Sequence, residues 1–298
     1  MNPKTLHRLP VENKGLGWLL FLILSLIWGS SFILMKLGLQ SLTPYQVASI
    51  RIGSAGIVLL PFARNAFRQI PKEKIFPVLV SGLAGSFFPA YLFCLAETRI
   101  DSSLAAILNA LTPLFAVLAG VLFFDLKVSP KKILGVLTGF VGLVLLPLVA
   151  KKQINFANIE YALLILAATI CYGINVNLVG RYLGQISSLR VVSLSFSFLI
   201  IPSICILWAN GYFQLALLTR GLVLSTAAAS VLGIGGTAIA TTLFYLLIKR
   251  TGAVFASLVT YGVPLVALLW GLLAGESISV PEILCLIMIL AGVALANR

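Results

Sequence analysis

The chain has 298 residues, of which 60% are hydrophobic and 10% charged, and its mean hydropathy is +1.09. Such a composition leaves too little polar surface to cover a water-soluble globule, so it predicts a protein of the lipid bilayer. Lys and Arg outnumber Asp and Glu by 21 to 8, but the excess lies in short loops and indicates membrane topology rather than a nucleic-acid partner.

Ten apolar segments follow one another along the chain, each long enough to cross a hydrocarbon core of ~30 Å as a helix. Charged, proline or polar residues bound each segment, and the connections are short. The sequence therefore predicts an all-α, polytopic membrane protein with ten transmembrane helices. The predicted spans are 18–38, 45–62, 75–96, 102–124, 131–149, 158–179, 188–209, 221–248, 252–274 and 280–296.

The polar residues 1–17 precede a full-length span rather than a short apolar region with a cleavage site. They predict a cytoplasmic tail and no removable signal peptide. With the N-terminus inside, fifteen Lys and Arg residues fall on the cytoplasmic side and four on the opposite side. By the positive-inside rule, both termini are predicted to be cytoplasmic.

An internal repeat organises the chain. The stretch 102–130 recurs 151 residues later as 253–281, so that Pro113 falls on Pro264 and Asp125 on Glu276. Five helices per copy is an odd number, which means that the second copy must enter the membrane upside down relative to the first. The sequence thus predicts two inverted five-helix repeats, 18–149 and 158–296, with substrate bound between them near the midplane.

Several motifs carry a family resemblance. They are WGSSFILMKLGL (Trp28–Leu39), Arg51, LAAILNALTPLFA (Leu104–Ala116) followed by Asp125, and TYGVPLVALLWGLLAGE (Thr260–Glu276). Their order and spacing resemble the ten-helix, EamA-domain branch of the drug/metabolite transporter (DMT) superfamily over nearly the whole chain. The resemblance implies a solute carrier of the inner membrane, often an exporter of amino acids or other metabolites, with a central cavity beside helices three, four, eight and nine.

Polar side chains within apolar segments avoid lipid, so they face either a cavity or a protein partner. Asn109 and Thr260 occupy equivalent positions, each four residues before a proline. Because proline donates no backbone hydrogen bond, Pro113 and Pro264 are expected to kink or break their helices symmetrically and to free the carbonyls at Asn109 and Thr260. A hydrogen bond to a neighbouring helix is the alternative role for Asn109.

Aromatic residues are expected to form the walls of the cavity. Trp28 lies near mid-bilayer, where core packing is the alternative reading. Tyr172 and Asn175 share a helix face, which fits either a clasp for a solute or an interfacial hydrogen bond. The predicted substrate-binding set is Trp28, Tyr91, Asn109, Tyr172, Asn175, Thr241, Tyr245, Thr260 and Tyr261.

Lys36, Arg51 and Glu97 all fall toward the non-cytoplasmic ends of their helices. Arg51 is deep enough to need a partner. A structural ion-paired cluster is therefore predicted, with Glu97 or backbone carbonyls neutralising Arg51. The alternatives are snorkelling of Lys36 and Glu97 to the interface, and a proton relay.

The architecture favours a transporter that moves a small amphipathic or zwitterionic metabolite, in the direction of export, by alternating access. A passive facilitator or channel-like uniporter is the alternative, because acids are nearly absent from helix centres. An intramembrane enzyme is more remote, since the sole histidine, His7, lies in the tail and no metal set or catalytic motif is present. No metal or cofactor is predicted, the partners are the bilayer and the substrate, and a monomer suffices although a dimer stays open.

Overall fold

The computed structural model describes residues 14–100, 102–149, 158–216, 219–273 and 279–296. Within these ranges the chain consists of helices joined by short turns, with no β-strand. The all-helical architecture predicted from the composition is therefore confirmed for the described residues. Most of the predicted tail, up to residue 13, lies outside them.

The first half contains seven α-helices and one π-helical turn. They are α1 (Lys14–Leu39), α2 (Pro44–Gln69), α3 (Lys72–Gly82), the first π-turn (Leu83–Phe87), α4 (Phe88–Ala96), α5 (Ser102–Asn109), α6 (Thr112–Phe123) and α7 (Pro130–Val149). The start of α2 is fixed by a capping box, in which Thr43 Oγ1 accepts from the Gln46 amide and Gln46 Oε1 accepts from the Thr43 amide. Each of these bonds satisfies an amide that helix geometry leaves without a partner.

The second half repeats this order. Its elements are α8 (Ile159–Tyr182), α9 (Ser188–Ala209), a 3-10 turn (Tyr212–Gln214), α10 (Arg220–Gly233), the second π-turn (Ile234–Ile239), α11 (Ala240–Thr251), α12 (Ala253–Ser257), α13 (Val259–Leu273) and α14 (Val280–Ala296). The predicted spans 75–96 and 221–248 each correspond to two α-helices that run on through a π-turn. The spans 102–124 and 252–274 each correspond to two successive helices.

Seven helical segments of the described chain are long and apolar enough to cross a membrane, and two shorter apolar helices accompany them. Large apolar side chains cover their outer surfaces: Phe123, Ile201 and Trp208 are 71%, 70% and 75% exposed. In water such a surface would drive aggregation, whereas lipid solvates it. The protein is thus a helical, multi-pass membrane protein.

Helix packing relies on glycine. An added Cβ at Gly56 of α2 would lie 2.5 Å from Ile200 of α9. On α14, an added Cβ at Gly292 would lie 2.4 Å from the amide nitrogen of Gly139 on α7. Small residues allow this backbone approach, which drives helix association where lipid supplies no hydrophobic effect.

The two π-turns occupy equivalent places in the repeat, since Leu83 and Ile234 are 151 residues apart. A π-turn widens the helix by one residue and often marks a functional site. Hydropathy does not reveal such turns. Both turns contribute to the cavity described next.

Candidate functional site

A cavity lies between the two halves of the chain, and its lining comes from both π-turns and from α1, α2, α4, α5, α6, α8, α11 and α13. Measured as the space open to the centres of water molecules, its volume is about 100 Å³. One ordered water needs roughly 10–15 Å³ by that measure, so the cavity has room for a small metabolite. Nineteen described residues line it: Trp28, Ser31, Phe32, Met35, Arg51, Gly85, Ser86, Phe93, Asn109, Thr112, Tyr172, Asn175, Gly236, Thr237, Thr241, Phe244, Tyr245, Thr260 and Val263.

Many of these lining residues are equivalent by the sequence repeat. At the offset of 151 residues, both members of five pairs line the cavity. Trp28 and Gly29 of α1 align with Tyr172 and Gly173 of α8 at an offset of 144 residues, which adds the pairs of Trp28 with Tyr172 and Ser31 with Asn175. The five pairs are Gly85 with Gly236, Ser86 with Thr237, Phe93 with Phe244, Asn109 with Thr260, and Thr112 with Val263.

Trp28 forms part of the cavity wall and connects the two halves. Its Nε1–H donates to the carbonyl of Gly236 in the second π-turn, at 3.0 Å. Its ring meets Phe244 edge-on, with centroids 5.1 Å apart. On the opposite side, Tyr172 lies 6.2 Å from Phe93 between ring centroids. The cavity therefore has aromatic walls from both halves.

Asn175 and Tyr245 form a buried polar pair beside the first π-turn. Asn175 Nδ2 donates to the Tyr245 hydroxyl at 3.3 Å, and this hydroxyl donates to the Ser81 carbonyl at 3.3 Å. A Cβ at Gly85 would lie 2.3 Å from Asn175 Nδ2. The pair is thus held by protein contacts on one side while it lines the cavity on the other.

Asn109 and Thr260 both line the cavity, but their hydrogen bonding differs from the predicted pattern. The carbonyl of Asn109, expected to be free, accepts from Thr112 Oγ1 at 2.6 Å. Thr260 Oγ1 donates to the carbonyl of Ser257 at 3.0 Å. Hydroxyl groups one turn away in sequence thus bond locally to backbone carbonyls near both helix interruptions.

The predicted symmetry of the two helix breaks needs correction. In the first half the helix is interrupted just before Pro113, which lies in the first turn of α6. In the second half the interruption is at Leu258, while Pro264 lies inside α13. Proline is tolerated in a first helical turn because the amide it lacks has no partner there, which explains its place in α6.

Two residues of the predicted substrate-binding set, Tyr91 and Tyr261, lie outside the cavity lining. Tyr91 shares a 2.7 Å hydrogen bond with the Ser49 hydroxyl and packs on Phe87. Tyr261 is fully buried and donates to the Val136 carbonyl of α7 at 2.8 Å. Tyr261 directly follows Thr260, and successive helical residues point about 100° apart. The position of Tyr261 next to Thr260 in the sequence therefore did not indicate that its ring faces the cavity.

The three charged residues have different surroundings. Lys36 is exposed at the end of α1, whereas Glu97 is buried and lies outside the cavity lining. Arg51 lines the cavity, and its Nε donates to Thr237 Oγ1 at 2.7 Å. Thr237 belongs to the other half, 186 residues away. The sequence indicated a deep cation at Arg51 but gave no sign of this partner.

Other lining residues were not predicted, among them Ser31, Phe32, Met35 and Phe244. A signal existed for one of them. Ser31 is one helical turn from Trp28 and aligns with the predicted residue Asn175. Applying the repeat to every candidate would have found Ser31, whereas Phe244 is the repeat equivalent of Phe93, which was itself not predicted.

A model of the EamA-like transporter family matches residues 15–148 and 160–298. The uncharacterized inner membrane transporter YedA of Escherichia coli K12 is 28% identical over 295 residues, covering 92% of this chain and 88% of that protein. The S-adenosylmethionine/S-adenosylhomocysteine transporter of Chlamydia muridarum is 27% identical, covering 84% and 82% respectively.

Two further matches are partial. The chain spans about half (55%) of an uncharacterized transporter of Archaeoglobus fulgidus, at 23% identity over 53% of this chain. It spans 41% of the probable amino-acid metabolite efflux pump of E. coli K12, at 27% identity over 43% of this chain. A solved structure superposes with a TM-score of 0.71 at 19% identity, covering 94% of this chain and 96% of that one. The structural match supports the fold.

Proposed function

This chain belongs to the EamA-like transporter family, and from that premise we propose that it exports a small zwitterionic or amphipathic metabolite across the inner membrane by alternating access. The members of this family are named as transporters, so family membership points to a membrane transporter rather than an enzyme. The names of two relatives, an amino-acid metabolite efflux pump and an S-adenosylmethionine/S-adenosylhomocysteine transporter, support the proposed solute class. Both names refer to amino acids or their derivatives.

The observation that carries the proposal is the shared lining of the cavity. Equivalent residues of the two halves, such as Asn109 with Thr260 and Phe93 with Phe244, face one space. In an inverted repeat, each copy can adopt the conformation that the other copy had before. This exchange opens a site shared by both copies first to one side of the bilayer and then to the other. A site built from both copies is what such a mechanism requires.

Reciprocal contacts support the proposed inverted repeats, 18–149 and 158–296, with five transmembrane helices each. An added Cβ at Gly29 would meet Val266, and one at Gly173, the equivalent of Gly29, would meet Phe115. Phe115 is the repeat equivalent of Val266. The contact of Gly29 with Val266 therefore corresponds to the contact of Gly173 with Phe115. A twofold axis relating two copies produces such mutual contacts. With five helices per copy, this axis would lie in the membrane plane.

Charge distribution supports the proposed orientation. The fifteen Lys and Arg residues assigned to one side outnumber the four on the other, and positive loops remain cytoplasmic during insertion. Both termini are therefore proposed to be cytoplasmic. Because one chain supplies both halves of the cavity, we propose that a monomer suffices.

A uniporter is the second candidate. None of the described residues that line the cavity is an Asp or Glu, the groups that often relay protons in coupled carriers. Flux that follows the solute gradient, with no response to an imposed pH gradient, would favour the uniporter. Accumulation of solute driven by the pH gradient would favour coupled export.

Asn109→Leu and Thr260→Val should each lower transport, because each removes a polar group from the cavity without changing the helix surface in contact with lipid. We expect a loss of about tenfold in solute affinity, as for one hydrogen bond to a charged solute group. Proteoliposomes loaded with radiolabelled methionine, phenylalanine or threonine measure the efflux rate and its concentration dependence.

Thr138→Val is the matched control, since Thr138 lies on α7 outside the cavity lining and its hydroxyl donates to the Leu134 carbonyl of the same helix. It should transport as the unchanged protein does. Normal gel-filtration profiles exclude misfolding as the cause of a loss. Unchanged affinity and rate in both cavity variants would contradict the proposed site.

A further inference from the structure

Arg51 supplies the charge of the cavity. Of the described residues that line it, Arg51 is the ionised side chain, and the rest are aromatic, apolar or neutral polar. Its Nε donates to Thr237 Oγ1 at 2.7 Å, and Thr237 is itself 2% exposed. The guanidinium is thus positioned by the second π-turn while it lies on the surface of the cavity.

This cation has no acidic partner within 4 Å in the described part of the chain. The salt bridge found there joins Arg181 to Asp125, at the end of α6. Apart from the bond from Nε, the Arg51 side chain makes no hydrogen bond to another described residue. A guanidinium has five N–H donors, so donors beyond the one bonded to Thr237 remain for a solute in the cavity that Arg51 lines.

A charged group within a membrane protein is costly unless something compensates it. Water in the cavity compensates it partly. An anion does so fully, and the planar guanidinium matches the two oxygens of a carboxylate with parallel hydrogen bonds. A single positive charge balances a monovalent anion, whereas a dianionic phosphate would leave negative charge in the cavity.

We propose that Arg51, oriented by Thr237, binds the carboxylate of the transported metabolite. This inference rests on the proposed transport function and narrows its substrate class to carboxylate-bearing solutes. The aromatic walls formed by Trp28, Phe93, Tyr172 and Phe244 take the apolar part of the solute. Asn109, Asn175 and Thr260 are available for its remaining polar groups.

The test compares solutes that differ only in the carboxylate. Methionine, phenylalanine and threonine are each assayed beside their amides, which lack the negative charge, and beside glycerol phosphate as a dianion. Proteoliposome flux and inhibition constants give the preference for acid over amide. We expect the unchanged protein to prefer the acids by about 10- to 100-fold, the range for hydrogen bonds to a charged group.

In Arg51→Gln the preference for acid over amide should fall to about one. In Thr237→Val the preference should lie between that of Arg51→Gln and that of the unchanged protein, because the guanidinium loses its orienting hydrogen bond. Arg51→Lys should retain part of the preference, since lysine keeps the positive charge but lacks the planar set of N–H donors that can bind both carboxylate oxygens. Lys36→Gln removes an equal charge from an exposed position outside the cavity lining and should leave the preference unchanged.

Equal transport of acids and amides by the unchanged protein would overturn the carboxylate proposal while leaving transport intact, and this comparison does not depend on how well any variant folds. A preference for glycerol phosphate, or an acid preference that survives in Arg51→Gln, would also overturn it. If no acid, amide or phosphate crosses faster than in empty liposomes, the proposed transport function itself fails.

Discussion

Gly292→Ala should strongly destabilise the protein, because the new methyl group has no space between α14 and α7. Its Cβ would lie 2.4 Å from the Gly139 nitrogen and 2.6 Å from the Gly135 carbonyl oxygen. These are backbone atoms, which cannot rotate aside, so the two helices must move apart. Overpacking of this kind costs about 1–3 kcal/mol or more. Thermal unfolding in detergent should show a midpoint several degrees lower, on the order expected for that cost.

Gly180→Ala provides the comparison for this variant. An added Cβ at Gly180 of α8 would find Ile248 at 3.6 Å, an ordinary contact. Alanine is also the better helix former by about 1 kcal/mol, so this variant should keep or slightly raise the midpoint. Equal midpoints for Gly292→Ala and the unchanged protein would show that α7 and α14 do not pack this closely.

Trp28→Ala should abolish measurable transport, because Trp28 provides a cavity wall and also binds the second π-turn. The substitution removes the Nε1 bond to the Gly236 carbonyl and the edge contact with Phe244. Trp→Ala changes in packed sites cost about 3–5 kcal/mol, and the half-buried Trp28 should fall near the lower value. Proteoliposome flux and thermal unfolding, measured together, separate the loss of the wall from a loss of fold.

Two other substitutions show which contact of Trp28 causes the expected loss of transport. Trp28→Phe keeps a ring against Phe244 but lacks the N–H donor, so its transport should be intermediate. Trp208→Ala changes a ring that is 75% exposed on the outer surface and should leave transport unchanged. If Trp28→Ala transported normally, the cavity wall would have no part in solute binding.

Hydropathy predicted the helices well where segments are uniformly apolar. The expected span 75–96 corresponds to α3, the first π-turn and α4, which cover residues 72–96. The span 45–62 was too short, since α2 continues to Gln69. Its last turns contain Arg64 and Arg68, and charged residues end a hydropathy segment before the helix itself ends.

The faces of the helices were harder to predict than their bounds. The repeat placed Asn109 and Thr260 at equivalent positions, and both residues line the cavity. It could not tell that Tyr261 turns toward α7, because its partner there, Val136, is 125 residues away. Such choices depend on tertiary packing, which periodicity within one helix does not encode.

The role of Arg51 shows the same limit for charge. Depth in an apolar segment indicated that this cation needs a partner, and Glu97 or backbone carbonyls were the predicted partners. The geometry provides a threonine hydroxyl from the second π-turn instead. Neither the π-turn nor a contact over 186 residues leaves a pattern in the local sequence.

Cysteine accessibility at position 260 tests most directly whether the cavity is the transport path. The four native cysteines are first replaced, and Thr260→Cys is introduced as a small reporter that keeps a weak S–H donor at this position. Membrane-impermeant methanethiosulfonate reagent is then added to right-side-out and to inside-out vesicles. We expect the reporter to react from either face, because alternating access opens the cavity to each side in turn, and we expect transport to stop after modification. Reaction from one face alone, or full modification that leaves transport intact, would contradict this account.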